Sequence, residues 1–183
     1  MSMDVFLETA RLRLRRITAA DAARLVELDS DPEVMRFITG GKPTSMAAIE
    51  HDVLPRLFEE YARFPLLGRW AAVSRATGEF EGWFALRPTE RGHGDEVELG
   101  YRLRRSAWGR GLATEGSRAL VHKAFAELEV RRIYAETMAV NTASRRVLEK
   151  TGLTLVRTFH LEWDDPIEGD EHGEVEYELT KLR

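Results

Sequence analysis

The chain contains no cysteine. That removes a disulfide framework, a thiolate nucleophile and a cysteine zinc site, and it suits a reducing compartment without requiring one. Long apolar runs are missing too: no uncharged stretch approaches the ~18 residues of a membrane span. The first residues, which include Asp4 and Glu8, lack the apolar core of a signal peptide. A cytoplasmic protein without membrane attachment is the expectation. Positive charge is not in excess, since 27 Lys and Arg stand against 31 Asp and Glu for a net charge of −4. That balance argues against a general nucleic-acid binder and favours cationic partners such as amines. Repeats and low-complexity tracts are absent as well. What remains is 183 residues, 43% apolar and 32% charged, which is the length and composition of one domain, residues 1–183, with its own core. Nothing in the sequence specifies an oligomeric state.

The chemistry concentrates around one strand-turn-helix unit. Val97, Leu99, Tyr101 and Leu103 alternate with Glu96, Glu98, Gly100 and Arg102, the period of a half-buried strand. Leu112, Gly116, Leu120, Ala124 and Leu128 then recur every fourth residue, which marks the apolar stripe of a helix. Between them lies an arginine-rich turn containing Gly109 and Gly111. The first turn of a helix leaves amide hydrogens unpaired and carries about half a positive charge. Glycines let a ligand approach that backbone closely. The turn is therefore an anion cradle, suited to a phosphate or pyrophosphate.

Two familiar phosphate loops do not fit. Gly111 and Gly116 have P-loop spacing, but Ser117 and Arg118 follow where the lysine and magnesium-binding hydroxyl should stand. Gly116 also falls on the helical stripe, where close packing is its expected use. The dinucleotide fingerprint fails because Thr114 takes the place of its third glycine. The run Trp108–Glu115, after an acidic-apolar strand, instead closely resembles the acetyl-CoA pyrophosphate loop of the GNAT N-acetyltransferases, and within them the RimJ/RimL-like branch that acetylates N-terminal alanines of ribosomal proteins. The general pattern Gln/Arg-x-x-Gly-x-Gly/Ala falls on Trp108, Gly111 and Ala113, with Trp108 replacing the Gln/Arg. A second block, the strand around Ile133–Thr137 followed by Asn141, Ser144, Gly152 and Leu153, resembles the family's Asn-x-x-Ser segment, with Leu153 in place of its aromatic. The resemblance spans about Leu7 to Leu182.

Elsewhere the chain reads as follows. Leu12 and Leu14 alternate with Arg11, Arg13 and Arg15, giving a first strand over 10–17 whose arginines are expected to form a solvated face. Thr18 and Asp21 signal a helix cap, and Asp31-Pro32-Glu33 starts a second helix. A third helix is expected over 45–62, kinked by Pro55. Strands are expected at Trp70–Ser74, at Phe80–Leu86 (covered on both faces), at Leu153–Asp164 and at Glu174–Lys181, with a polar loop over 88–95. Acids and histidines gather late in the chain, at His160, Glu162, Asp164, Asp165 and His172. They lack the oxygen spacing of a hard-cation loop, so no metal is expected; an acidic hairpin in solvent is the default, and an acidic rim beside a cationic acceptor is the alternative.

The resemblance implies an α+β domain: a mixed, mostly antiparallel sheet of six to seven strands, about four helices, and two central strands (96–103 and 132–138) that splay apart. It implies acetyl-CoA as co-substrate, with pyrophosphate on Gly109, Arg110, Gly111, Leu112, Ala113 and Thr114, beside Trp108. Pantetheine would run along the backbone of Tyr101, Arg102 and Leu103, with an amide at Leu103 or Arg104 polarising the thioester carbonyl. Asn141 and Ser144 lie one helical turn apart and can face the cofactor arm; a helix cap and a backbone-bonded serine are the alternative uses. The acceptor is a primary amine, either a protein N-terminus or a small amine. An α-amine titrates near 7.7–8.0 and a lysine near 10.4, a gap of about 3.5 kcal/mol in deprotonation, so a carboxylate acting through water suffices only for the former. Glu98 is the first candidate base and Glu96 the second, with Glu162 a third; Ser144 is the candidate acid for the leaving thiol. A non-catalytic acetyl-CoA-binding module is the competing class.

Overall fold

The computed structural model describes residues 5–89, 94–162 and 164–181; Gly92 of the expected 88–95 loop lies outside them. Eight strands form one sheet: β1 (Val5–Glu8), β2 (Leu12–Arg16), β3 (Gly68–Ser74), β4 (Phe80–Pro88), β5 (Glu96–Leu103), β6 (Arg132–Met138), β7 (Thr154–Phe159) and β8 (Glu174–Thr180). Their order is β1-β2-β3-β4-β5-β6-β8-β7. Every neighbouring pair is antiparallel except β5 and β6. The strand beyond those expected is β1. Its apolar run, Val5, Phe6 and Leu7, is too short to show a period, and it is held by pairing with β2 and by Phe6 stacked on Trp70 with ring centroids 4.1 Å apart.

Helices cover both faces. On one lie α1 (Ala22–Ser30), α2 (Pro32–Thr39), the short α3 (Met46–Ala48) and α4 (Leu54–Arg63). Leu25, Leu28, Val34, Leu54 and Leu57 pack there with Ala71, Trp83 and Ala85. On the other lie α5 (Leu112–Glu127) and α6 (Thr142–Thr151), whose Leu112, Leu120, Ala124 and Leu148 meet Phe84, Leu99, Ile133 and Tyr177. Each such side chain contributes about 1.5–3 kcal/mol on burial. Gly116 packs as its place on the stripe implies, since a Cβ there would come within 2.3 Å of the Phe84 ring.

Three expectations need refining or correcting. The break expected at Pro55 takes the form of a π-turn at Ile49–Val53, directly before Pro55 in the first turn of α4, which re-spaces the backbone bonds that the proline ring excludes. The strand after Gly152 ends at Phe159, not Asp164. The arginines of β2 are not all solvated: Arg15 is 6% exposed and forms a two-pronged ion pair with Asp21, both bonds at 2.7 Å. Arg11 and Arg13 are the exposed ones, paired with Glu115 and Glu8.

The parallel pair carries the main functional consequence. β5 and β6 are joined only at Glu96–Arg132, Val97–Ile133 and Glu98–Tyr134, yet β5 continues to Leu103 and β6 to Met138. Beyond Glu98 the two strands diverge, leaving the β6-facing edge of Leu99–Leu103 without a strand partner.

Candidate active site

β5 runs into α5 through a 3-10 turn at Arg105–Ala107. Trp108 folds back, its indole Nε1 donating to the Leu103 carbonyl at 2.8 Å. Gly109 and Gly111 then take φ of +69° and +77°, which a side chain would strain. Nothing lies within 4 Å of a Cβ built on Gly109, so the turn is open to a ligand. Gly111 caps α5 without a side-chain bond. The first intrahelical bond there runs from the Glu115 amide to the Gly111 carbonyl at 3.0 Å, leaving the Leu112, Ala113 and Thr114 amides without intrahelical acceptors. An open cleft of about 690 Å³ at this helix start is lined by Arg11, Gly111, Thr114, Arg118 and Lys150, among others. Free amides, positive-φ glycines and nearby cations together fit a pyrophosphate.

The turn is fastened from outside by residues that the sequence reading did not single out. Glu115 accepts from the Thr9 hydroxyl at 2.6 Å, from the Arg11 amide at 2.9 Å and from Arg11 Nε at 2.7 Å, while an Arg11 terminal nitrogen reaches the Arg110 carbonyl at 2.8 Å. These bonds hold a carboxylate that would otherwise oppose an anion at the first turn. Burial raises the Glu115 pKa, but the bonds from Thr9 and Arg11 outweigh it and bring the net value down. The side chains of Arg102 and Arg104 point elsewhere. Arg102 pairs with Asp29 at 2.5 Å and lies over Trp83; Arg104 pairs with Glu81 and Glu79 at 2.9 and 3.0 Å. The Arg104 amide, one of the two expected to polarise the thioester carbonyl, instead donates to the Glu81 carbonyl at 3.0 Å, and the Arg104 carbonyl accepts from the Ala107 amide at 2.9 Å; of the two expected donors, the Leu103 amide is the one left to consider. The Arg110 side chain is exposed.

Where β5 and β6 diverge, Tyr101 bridges from β5 to α6. Its hydroxyl lies 2.9 Å from Ser144 Oγ and donates to the Ser144 carbonyl at 3.2 Å. Burial pushes the phenol up to about 12, against the lowering effect of the Ser144 bond, so it stays a proton donor. Asn141 caps α6, its Oδ1 accepting from the Ser144 amide at 3.2 Å; its side-chain nitrogen is left as a donor. The two carboxylates singled out on β5 are both engaged. Glu98 meets Arg87 at 2.8 Å. Glu96 meets Arg132 at 2.5 Å, in a network with Glu176 and Glu178, at the closed end of the parallel pair. Glu162 is exposed after β7.

One carboxylate escaped the sequence reading altogether. Glu174 sits in perfect strand alternation with Val175 and Tyr177, which reads as a solvent face. It is 5% exposed, and its Oε1 is buried without a hydrogen-bond partner. No local signal could have revealed that burial. In the sheet Glu174 lies between Met138 of β6 and Phe159 of β7, and the segment between β7 and β8 is pinned to α2 and the residues following it by the Lys42–Asp165 and Arg36–Glu168 ion pairs and by Ile167 against Gly40.

Comparison with known proteins places this geometry. Residues 11–154 match the acetyltransferase (GNAT) domain family. The FsC-acetyl coenzyme A-N(2)-transacetylase of Aspergillus fumigatus is 40% identical over 182 residues, covering 96% of this chain and 76% of that one. In structure, the ribosomal L7/L12 alpha-N-protein acetyltransferase RimL, solved with coenzyme A, superposes with a TM-score of 0.81 at 17% identity, over 97% of this chain and 98% of the other. The spermidine N-acetyltransferase of Vibrio cholerae, solved with CoA and spermine, gives 0.72 at 16% identity, over 92% and 95%. With its diverging central strands and its uncapped, glycine-entered α5, the chain belongs to the GNAT family and is an N-acetyltransferase that takes its acetyl group from acetyl-CoA.

Proposed function

We propose that the acceptor is a primary amine of the weakly basic α-amino kind, attacked directly on the thioester. The observation that carries this reading is the state of the carboxylates on the acceptor side of the sheet. The bases that this side offers are carboxylates, and Glu96 and Glu98 are in addition tied to guanidinium groups; a carboxylate is a weak base for a lysine-like amine but adequate for one that is already partly neutral near pH 7. The N(2)-transacetylase name of the 40% identical relative supports the same class. The acetyl donor would lie with its pyrophosphate on the Gly109–Thr114 amides and its arm along the free edge of Tyr101–Leu103. Asn141 offers its side-chain nitrogen to that arm.

The transfer consumes an ammonium and releases an amide. One proton leaves the acceptor nitrogen for a carboxylate, the lone pair forms the C–N bond, and the C–S bond breaks. The second proton from nitrogen balances the thiolate. The Tyr101 and Ser144 hydroxyls, linked at 2.9 Å, supply a donor path to that sulfur. A small polyamine is the second reading, favoured by the exposed acids Glu162 and Asp164 after β7, which have no ion pair among the described residues.

The test is thiol release from acetyl-CoA with α-amine peptides, lysine peptides and polyamines assayed side by side. The α-amine is expected to react fastest at pH 7; turnover with polyamines alone, or binding of CoA with no turnover on any amine, would replace this reading.

A further inference from the structure

We infer that Glu174, not a carboxylate of β5, is the base that takes the proton of the acceptor amine. The inference rests on the amine-acetylation reading above. In register, Glu174 stands opposite Met138 on β6 and Phe159 on β7. Met138 is the last of the seven residues of β6 and lies at the wide end of the gap, since pairing with β5 stops at Tyr134. Val175 and Tyr177 face the α5–α6 core; by strand alternation Glu174 faces the opposite side, the one that Glu98, Gly100 and Arg102 share. That is the side from which an acceptor reaches a thioester laid along β5.

The carboxylates on this face differ in what they are bonded to. Glu98 is held by Arg87, Glu96 by Arg132, and Glu176 by Arg132 and Arg157 at 2.6 Å each. Glu136 and Glu174 have no ion pair among the described residues, but Glu136 is exposed, whereas Glu174 is buried and its Oε1 lacks even a neutral donor. Leaving a buried carboxylate bare is costly unless a ligand supplies the missing bond. An ammonium supplies both the charge and the N–H. The charged groups around Glu174 are Glu136 on β6, Glu176 with its partner Arg157, and His160 after β7, whose imidazole lies 3.4 Å from the Glu171 carbonyl. Burial, then the nearby Glu136, raise the Glu174 pKa. A stronger base results, closer to the amine it must deprotonate.

In the step, Glu174 accepts one proton from R–NH3+, the neutral nitrogen bonds to the acetyl carbon, and sulfur leaves with the second proton. Glu174 then returns its proton to solvent, so the net products are the amide, free CoA and one proton.

The experiment compares wild type, Glu174→Gln, Glu174→Asp and Glu98→Gln from pH 6 to 9. Two acceptors are used: an alanine-initiated tetrapeptide, and water in the slow hydrolysis of acetyl-CoA. CoA affinity by calorimetry checks that each variant is folded and loaded. Glu174→Gln is expected to lower kcat for the peptide by about a hundredfold at pH 7, with KM for acetyl-CoA unchanged and the deficit shrinking towards pH 9. Glu174→Asp should recover part of the rate, and hydrolysis should fall with Glu174→Gln as well. Glu98→Gln should show a deficit that does not vary with pH, as expected of a residue acting through Arg87. A pH-dependent deficit that follows Glu98→Gln, or wild-type rates in Glu174→Gln, overturns the assignment. If wild type leaves the peptide untouched, the α-amine reading falls and the hydrolysis rates alone decide the case of Glu174.

Discussion

Two regions of the molecule treat buried polar groups in opposite ways. Beside α1, Asp21 is fully buried and every need of its carboxylate is met: Arg15 bonds it twice at 2.7 Å, Arg24 at 2.9 Å and the Thr18 amide at 2.9 Å. Around the β5–β6 gap, Glu174 is nearly as deeply buried with no donor on Oε1, and α5 begins on three amides without intrahelical acceptors. The pKa directions follow. Burial raises Asp21, but the bonds from Arg15, Thr18 and Arg24 outweigh it and bring the carboxyl down to about 2; for Glu174 nothing offsets burial and Glu136. A satisfied group stabilises one shape, whereas an unsatisfied one is a place for a ligand.

The largest effect that would sharpen this contrast is Arg15→Ala. It leaves the buried Asp21 with only Arg24 and Thr18 as partners, with an expected loss of about 3 kcal/mol in denaturant unfolding, the lower end for breaking a buried pair. A loss under about 1 kcal/mol would break the comparison. Next, Gly111→Asp places a carboxylate against the free amides. Each lost charge-assisted bond is worth about 1.5–3 kcal/mol, so calorimetry should show CoA binding weakened by well over tenfold in a folded protein.

Acid titration separates the two carboxyls by sign. The folded pKa of Asp21 is depressed, so its contribution is complete above its ordinary value of 3.8 and is lost as pH falls towards about 2. That loss is on the order of 2 kcal/mol and should vanish from the unfolding profile of Asp21→Asn. Glu174 has a raised folded pKa, so it destabilises increasingly as pH rises through 4.5. Glu174→Gln should therefore raise Tm at pH 7 relative to wild type, with the difference shrinking as pH falls to 3. The smallest shift is expected at the one helix start near the gap that is capped: Asn141→Ala should cost about 1 kcal/mol or less and also raise KM for acetyl-CoA. Unchanged KM would leave Asn141 a cap only.

Much of this was legible in the chain because it is local. The alternation through Val97–Leu103, the four-residue stripe from Leu112 and the two glycines between them define the strand, the helix and the open turn without reference to anything distant. The packing use of Gly116 followed from its place on the stripe. Where the path of the backbone in space decides, the reading failed. Arg15 looks like Arg11 and Arg13 in sequence, but only Arg15 meets Asp21, because the 3-10 turn at Ala19–Asp21 brings that carboxylate back to the end of β2. β1 has too few apolar residues to announce itself and exists through its pairing with β2.

The sequence by itself determined the strand-turn-helix unit of this protein, since an uncapped helix start with glycines at positive φ is a property of about a dozen consecutive residues and the backbone rules that act on them. The tertiary structure decided the state of the carboxylates. Glu98 and Glu96 are engaged by Arg87 and Arg132, and Glu174 is buried between β6 and β7. Burial and charge pairing are sums over groups brought together from opposite ends of the chain, and no local pattern encodes them.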